Sequence, residues 1–261
     1  DDAQAQLSFS GRTMGYALAM NQAVGFGVLD DQMAAIRDLN RNLEFRKAIK
    51  HAIDGKAFAK AMSKGPFVTV YAGGLARDSA FFDADATSFF PYNPAGANSI
   101  LDGLGLMDTD GNGVRNLPNG GGDLVINLVQ NKGSENEMLL GDGMATMMSE
   151  VGIKINIKPM EDTEPTRQAG EWDWLLVRSQ QEMAFPNSGY WSDMGPVTTS
   201  SFDPHLGTDE HPQQLQSFEK EIVSILEQWR DGVEGAEAQA LMSRYQKLFT
   251  ENVYMPGIVQ Y

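Results

Sequence analysis

Between residues 123 and 178 the hydrophobic period switches repeatedly, and that alternation constrains the fold more than any other feature. Leu124, Ile126 and Leu128 alternate with other residues at the spacing of a strand. Ser134 and Glu137 have the spacing of a capping box, and Leu140, Met144, Met147 and Val151 trace a helical stripe that Gly152 ends. Ile153, Ile155 and Ile157 alternate again and stop at Pro159. A short helix from about Asp162 to Ala169 leads into WDWLLVR, residues 172–178, an apolar run suited to a strand covered on both faces. Strand, helix, strand, helix, strand in this order predicts parallel βαβ units. The fold class is therefore α/β, with a mixed, largely parallel sheet flanked by helices.

The flanking segments fit that frame. Residues 12–21 read as a strand, and a Gly-rich stretch follows. Phe45, Ile49, Ala52 and Ile53 form one face of a helix starting near Asn42. Asp54 caps a second helix carrying Phe58 and Met62, stopped by Gly65-Pro66. Residues 67–92 read as loop with one short strand at most, and Asn93-Pro94 starts a further helix. After the irregular segment 181–212, Leu215, Phe218, Ile222, Ile225 and Trp229 mark one helix and Leu241, Tyr245 and Leu248 another. A last strand closes the chain.

Composition excludes several functions. With 35 acidic and 20 basic residues the net charge is −15, which repels nucleic acid and anionic membrane surfaces. No cysteine is present, so disulfides, thiolate metal sites and thiol catalysis are ruled out. No apolar run approaches the roughly 20 residues of a membrane span. DDAQAQ at the start has neither the basic nor the apolar region of a signal peptide.

Few residues carry obvious chemistry. There is no G-x-S-x-G elbow and no phosphate-binding glycine motif behind a strand. His51 lies beside a helical core stripe, while His205 and His211 fall among Asp203, Asp209 and Glu210, read as a solvated acidic turn. Asp108, Asp110 and Asn112, followed by Gly113, match the first half of a calcium loop, but position 12 is Asn119 where a bidentate Glu is needed. Two readings stand there: a weak structural calcium site or a plain Asx turn. Phe45, Phe58, Phe218, Trp229 and Tyr245 sit on helical stripes and are assigned to the core. Trp172 and Trp174 are placed on one side of a strand, at least one of them buried, with core and cleft both open as surroundings for the other.

Ligands of open α/β sheets bind beyond the carboxyl ends of strands. Arg178, Gln180, Gln181 and Glu182, leaving WDWLLVR, are the best-placed polar side chains, with Tyr190 and Trp191 as stacking walls in the loop beyond. An ordinary solvated exit from the strand is the competing reading.

The order of motifs resembles the family 5 extracellular solute-binding proteins of bacterial ABC transporters, the peptide, dipeptide and nickel binders. The resemblance rests on Met20-Asn21, on Arg46, Ala48, Ile49, Ala52, Ile53 and Asp54, and on Tyr92-Asn93-Pro94. The 108–113 turn, Val151 to Ile155 and residues 172–176 extend it over nearly the whole chain. It implies a non-enzymatic, periplasmic or extracellular protein that passes a peptide or similar small solute to a membrane permease. It also implies that residues 1–261 form one lobe, the second, of a two-lobed protein, with Asn21 near the hinge and the ligand. With Pro186 aligned to the family's proline, Glu182 takes the acidic position that pairs with a peptide's amino group. Arg178-Ser179 and Glu182-Met183 depart from the family's Gly-Trp and Asp-Tyr, so a different ligand, with Arg178 facing a carboxylate or phosphate, is also implied. Two rival readings are a metal-assisted hydrolase using the acidic turn with His205 or His211, and an interaction domain without a small ligand.

Overall fold

A computed structural model describes residues 14–261 apart from residues 64, 180–185 and 187, and gives the backbone alone for 119, 179 and 188–190. One six-stranded sheet, in the order β2-β6-β1-β5-β3-β4, organises the chain. Its strands are β1 (Gly15–Met20), β2 (Thr69–Val70), β3 (Val125–Asn131), β4 (Lys154–Met160), β5 (Trp174–Ser179) and β6 (Gly257–Gln260). The expected βαβαβ unit is present: β3 pairs in parallel with both β4 and β5, linked through α5 (Glu135–Ser149) and α6 (Glu164–Ala169). The remaining ladders, β1 with β5, β1 with β6 and β2 with β6, are antiparallel. The sheet is mixed, but its parallel part covers three strands only. Met14 and Tyr261 exchange both backbone hydrogen bonds at 2.8 Å, bringing the two ends of the described chain to one place.

Strand pleating divides the core in two. Tyr16, Leu18 and Met20 of β1, with Trp174 and Leu176 of β5, enter a core under α1 (Asp31–Arg41), α2 (Leu43–Ala52), α3 (Gly55–Met62), α4 (Pro94–Gly103) and α5. Ala17, Ala19 and Leu175 point the other way, against α7 (Ser217–Arg230) and α8 (Gly235–Glu251). The small alanines leave room on that face for Phe202, Phe218, Phe249 and Tyr254, whose rings pack with centroids 4.9–6.4 Å apart. Each fully buried aliphatic side chain stabilises the fold by roughly 1.5–3 kcal/mol.

Caps set most helix starts as expected. Asn42, Asp54 and Asn93 accept N–H groups of the first turns of α2, α3 and α4. At α5 only half of the capping box forms: Ser134 Oγ accepts the Glu137 N–H, while Glu137 Oε2 accepts the Asn131 N–H at 2.8 Å. Helix α1 has no counterpart in the sequence reading. Its buried side is Met33, Ile36, Arg37 and Asn40, and two polar members hide the apolar period. The two tryptophans separate, since β5 begins only at Trp174: Trp172 belongs to the α7–α8 core and Trp174 to the other, both fully buried. Neither opens to a cleft.

Candidate functional site

Beside the carboxyl end of β5 lies a cavity of about 250 Å³ whose lining includes Val177, Arg178, Asp193, Ser200, Ser201, Asp203 and Arg167. A second hollow of about 360 Å³ adjoins it, sharing Arg167 and Ser200 and adding Phe26, Gln168, Thr199, Leu206 and Thr208. Arg167 thus stands between the two.

Helix α6 puts Glu164 and Arg167 one turn apart, so their side chains meet. Arg167 donates from Nε and Nη2 to the two Glu164 oxygens at 2.8 and 2.7 Å, and from Nη1 to Asp203 Oδ1 at 2.6 Å. The hydrogen bond to Glu164 and then the one to Asp203 push the guanidinium pKa up against the cost of burial. Arg167 in turn holds the Glu164 carboxyl below its usual range. Burial pushes the Asp203 carboxyl up, and Arg167 offsets this only in part.

The walls are braced from beneath by Arg37, a buried residue of the unanticipated helix. Its Nη1 donates to the Ala23 and Phe26 carbonyls at 3.2 and 3.4 Å, and its Nη2 to Gly170 and Trp172 at 2.6 and 3.0 Å. Burial lowers its pKa to about 10, with Asp173 opposing the shift. Phe26 and α6 are thereby tied together, and Gly27 (φ +67°) passes so close to Gly170 that a Cβ would sit 2.4 Å from its backbone. Only glycine fits there.

Of the expected binding residues, Arg178 borders the cavity, but pleating turns its exposed side chain to the sheet face of Tyr16 and Leu176, while its neighbour Val177 faces the cavity. Gln180, Gln181 and Glu182 lie outside the described residues, as does the side chain of Tyr190. Trp191 is half-buried against the α7–α8 core, with the Arg230 guanidinium 4.9 Å from its ring centre. Asn21 differs from expectation: it is fully buried and donates to the Gly170 and Trp172 carbonyls at 3.2 Å each, bracing the wall from inside. Arg167, Asp193 and Phe26 escaped the sequence reading, and Asp203 entered it only as part of a solvated acidic turn. The one available signal was the i, i+3 spacing of Glu164 and Arg167.

The acidic turn closes on itself. Asp108 accepts the Gly111 and Gly113 N–H groups at 2.7 and 2.9 Å, and Asn112 Nδ2 donates to Asp110 and Asp123. His205 is not solvated: it is fully buried, with Nδ1 2.7 Å from Glu219 Oε1. His51 Nδ1 lies 2.7 Å from the Pro91 carbonyl. Among the described residues, no three or more His, Asp and Glu side chains converge as a metal centre, so the parts of the hydrolase reading are not assembled there.

Residues 1–201 match the family described as bacterial extracellular solute-binding proteins, family 5, middle region. The chain belongs to this family. It is a periplasmic or extracellular member, and no described helix is long and apolar enough to cross a membrane. Over its whole length the chain is 34% identical to the periplasmic alpha-galactoside-binding protein of Rhizobium meliloti (strain 1021), of which it spans 38%. The periplasmic binding protein MelB of Agrobacterium fabrum C58, solved with stachyose, superposes with a TM-score of 0.92 at 33% identity, over 96% of this chain and 38% of that one. The oligopeptide-binding protein AppA of Bacillus subtilis, solved with a nonapeptide, has a TM-score of 0.72 at 13% identity, over 95% of this chain and 46% of that one. This last likeness is one of fold alone.

Proposed function

We propose that this chain is one lobe of a two-lobed solute-binding protein that captures an α-galactosyl oligosaccharide and delivers it to an ABC permease, binding without catalysis. The reading rests above all on 34% identity along the entire chain to a protein named for α-galactosides. The expected peptide gives way to a sugar because the peptide-binding likeness, at 13% identity, carries only the fold. The site supports the same choice. Arg167 on the cavity wall is already taken up by Glu164 and Asp203, beside the hydroxyls of Ser200 and Ser201. A neutral, hydroxyl-rich solute finds hydrogen-bonding partners there that are not a free cation, and Phe26 in the adjoining hollow offers an apolar face to a sugar ring. The Met14–Tyr261 pairing supports a lobe whose crossings to a second lobe lie side by side, so that hinge closure encloses the ligand.

Calorimetry on the full-length protein tests this reading. Stachyose is expected to bind at micromolar affinity or tighter, about −8 kcal/mol or better, and a tripeptide not at all. Residues 1–261 alone, with half of the site, should bind stachyose far more weakly. Tight peptide binding with no response to stachyose would overturn the proposal.

A further inference from the structure

We propose that Asp203 makes the site selective for uncharged solutes by occupying Arg167, the group best suited to receive a carboxylate. The inference rests on the solute-binding reading above and names the specificity of that same site. A guanidinium lining two adjoining hollows would ordinarily select an anionic ligand, because its planar fork matches carboxylate and phosphate. Here it is already engaged by two carboxylates, Glu164 through two hydrogen bonds and Asp203 through one at 2.6 Å. Three of its five N–H donors are spent, leaving two for neutral acceptors such as sugar hydroxyls.

The placement of Asp203 is built into the core. It opens the short 3-10 turn Asp203–His205, in which the Pro204 carbonyl accepts the Gln22 N–H at 2.7 Å and His205 is held on buried Glu219. These contacts fix the backbone from which the Asp203 carboxylate reaches Arg167. An anionic ligand would have to share Arg167 with the two carboxylates already on it, in a cavity that Asp193 also lines. Like-charge placement of this kind rejects wrong ligands more than it strengthens right ones. Asp203 is thus a positioning residue, acting through Arg167.

Two probes share α-linked galactose-type rings and differ in charge: stachyose, neutral, and trigalacturonate, anionic. With the full-length protein, the unmodified form is expected to bind stachyose and to bind trigalacturonate at least about 100-fold more weakly. Asp203→Asn should raise the trigalacturonate-to-stachyose affinity ratio by about tenfold or more, an effect that shrinks at high salt. Asp203→Glu should restore the original ratio, and Arg167→Gln added to Asp203→Asn should abolish the gain. Glu164→Gln, a change at a more exposed position, should move the ratio in the same direction and decides the matter if Asp203→Asn does not fold. Equal weakening of both ligands, or an unchanged ratio, would overturn the inference while leaving sugar binding intact. Failure of the unmodified protein to bind stachyose would instead remove the functional reading beneath it.

Discussion

His205 Nδ1 stands 2.7 Å from Glu219 Oε1, and neither side chain has any exposure to solvent. The Tyr254 hydroxyl donates to the same oxygen, and the Gln216 N–H reaches Oε2 at 2.6 Å. Burial by itself would raise the Glu219 carboxyl, but the hydrogen bond and charge of His205, with the bonds from Tyr254 and Gln216, outweigh it and hold the carboxyl below its usual range. One carboxylate therefore joins α7, the 203–205 turn carrying Asp203, and the residue that leads into β6.

Glu219→Ala leaves those buried donors without an acceptor and should cost about 3–5 kcal/mol in urea unfolding. Glu219→Gln should cost less, since part of the bonding survives. The pH dependence follows from a depressed folded-state pKa. The stabilisation is present above the unfolded value, about 4.3, and is lost as pH falls through the lower folded value. Between pH 5 and 3 the parent should therefore lose stability more steeply than the Gln variant. Parallel acid profiles would show that the carboxylate is not stabilised as described.

Lys50, fully enclosed on α2, donates to the Tyr71 and Gly257 carbonyls, and burial lowers its pKa from 10.5 to about 8. Below pH 8 the folded and unfolded forms both hold the proton, and the buried charge destabilises the fold. Between about 8 and 10.5 only the unfolded form keeps it, so stability rises with pH, by up to about 3 kcal/mol. Above pH 10 the buried hydroxyls of Tyr245 and Tyr254, pushed up by burial, reverse the trend. Denaturant midpoints at pH 7.5, 8.5 and 9.5 should rise in the parent and stay flat in Lys50→Met. A flat parent profile would mean that the ammonium is not penalised.

Asp108 supports its turn through the Gly111 and Gly113 N–H groups, bonds that hold its carboxyl below the usual range. Asp108→Ala should lower the melting temperature by a few degrees, equally in calcium and in chelator. A parent whose melting temperature climbs with calcium would show that the turn is a metal loop.

Much of the architecture was legible because local signals agreed with tertiary need. Asn42, Asp54 and Asn93 cap helices wherever they stand, and the period-two and helical stripes of residues 124–157 point to the same core. Helix α1 was not legible: Arg37 and Asn40 on its buried side look like surface residues until the carbonyls of residues 21–26 and 170–173 are placed around them. For the site, the exit of β5 pointed to Arg178. Nothing local pointed to the Arg167–Asp203 pair, whose members are 36 positions apart.

From residue order alone came the fold class, the βαβαβ unit and the family. The first two rest on periodicity and capping, which act over a few residues, and the third on the resemblance of short motifs along the chain. Folding alone decided that His205 is buried on Glu219, that Asn21 braces a wall, and that Arg167 shares its charge with Glu164 and Asp203. Each of these depends on polar groups distant in sequence being desolvated together, where hydrogen-bond geometry and burial, rather than residue type, determine what a side chain does.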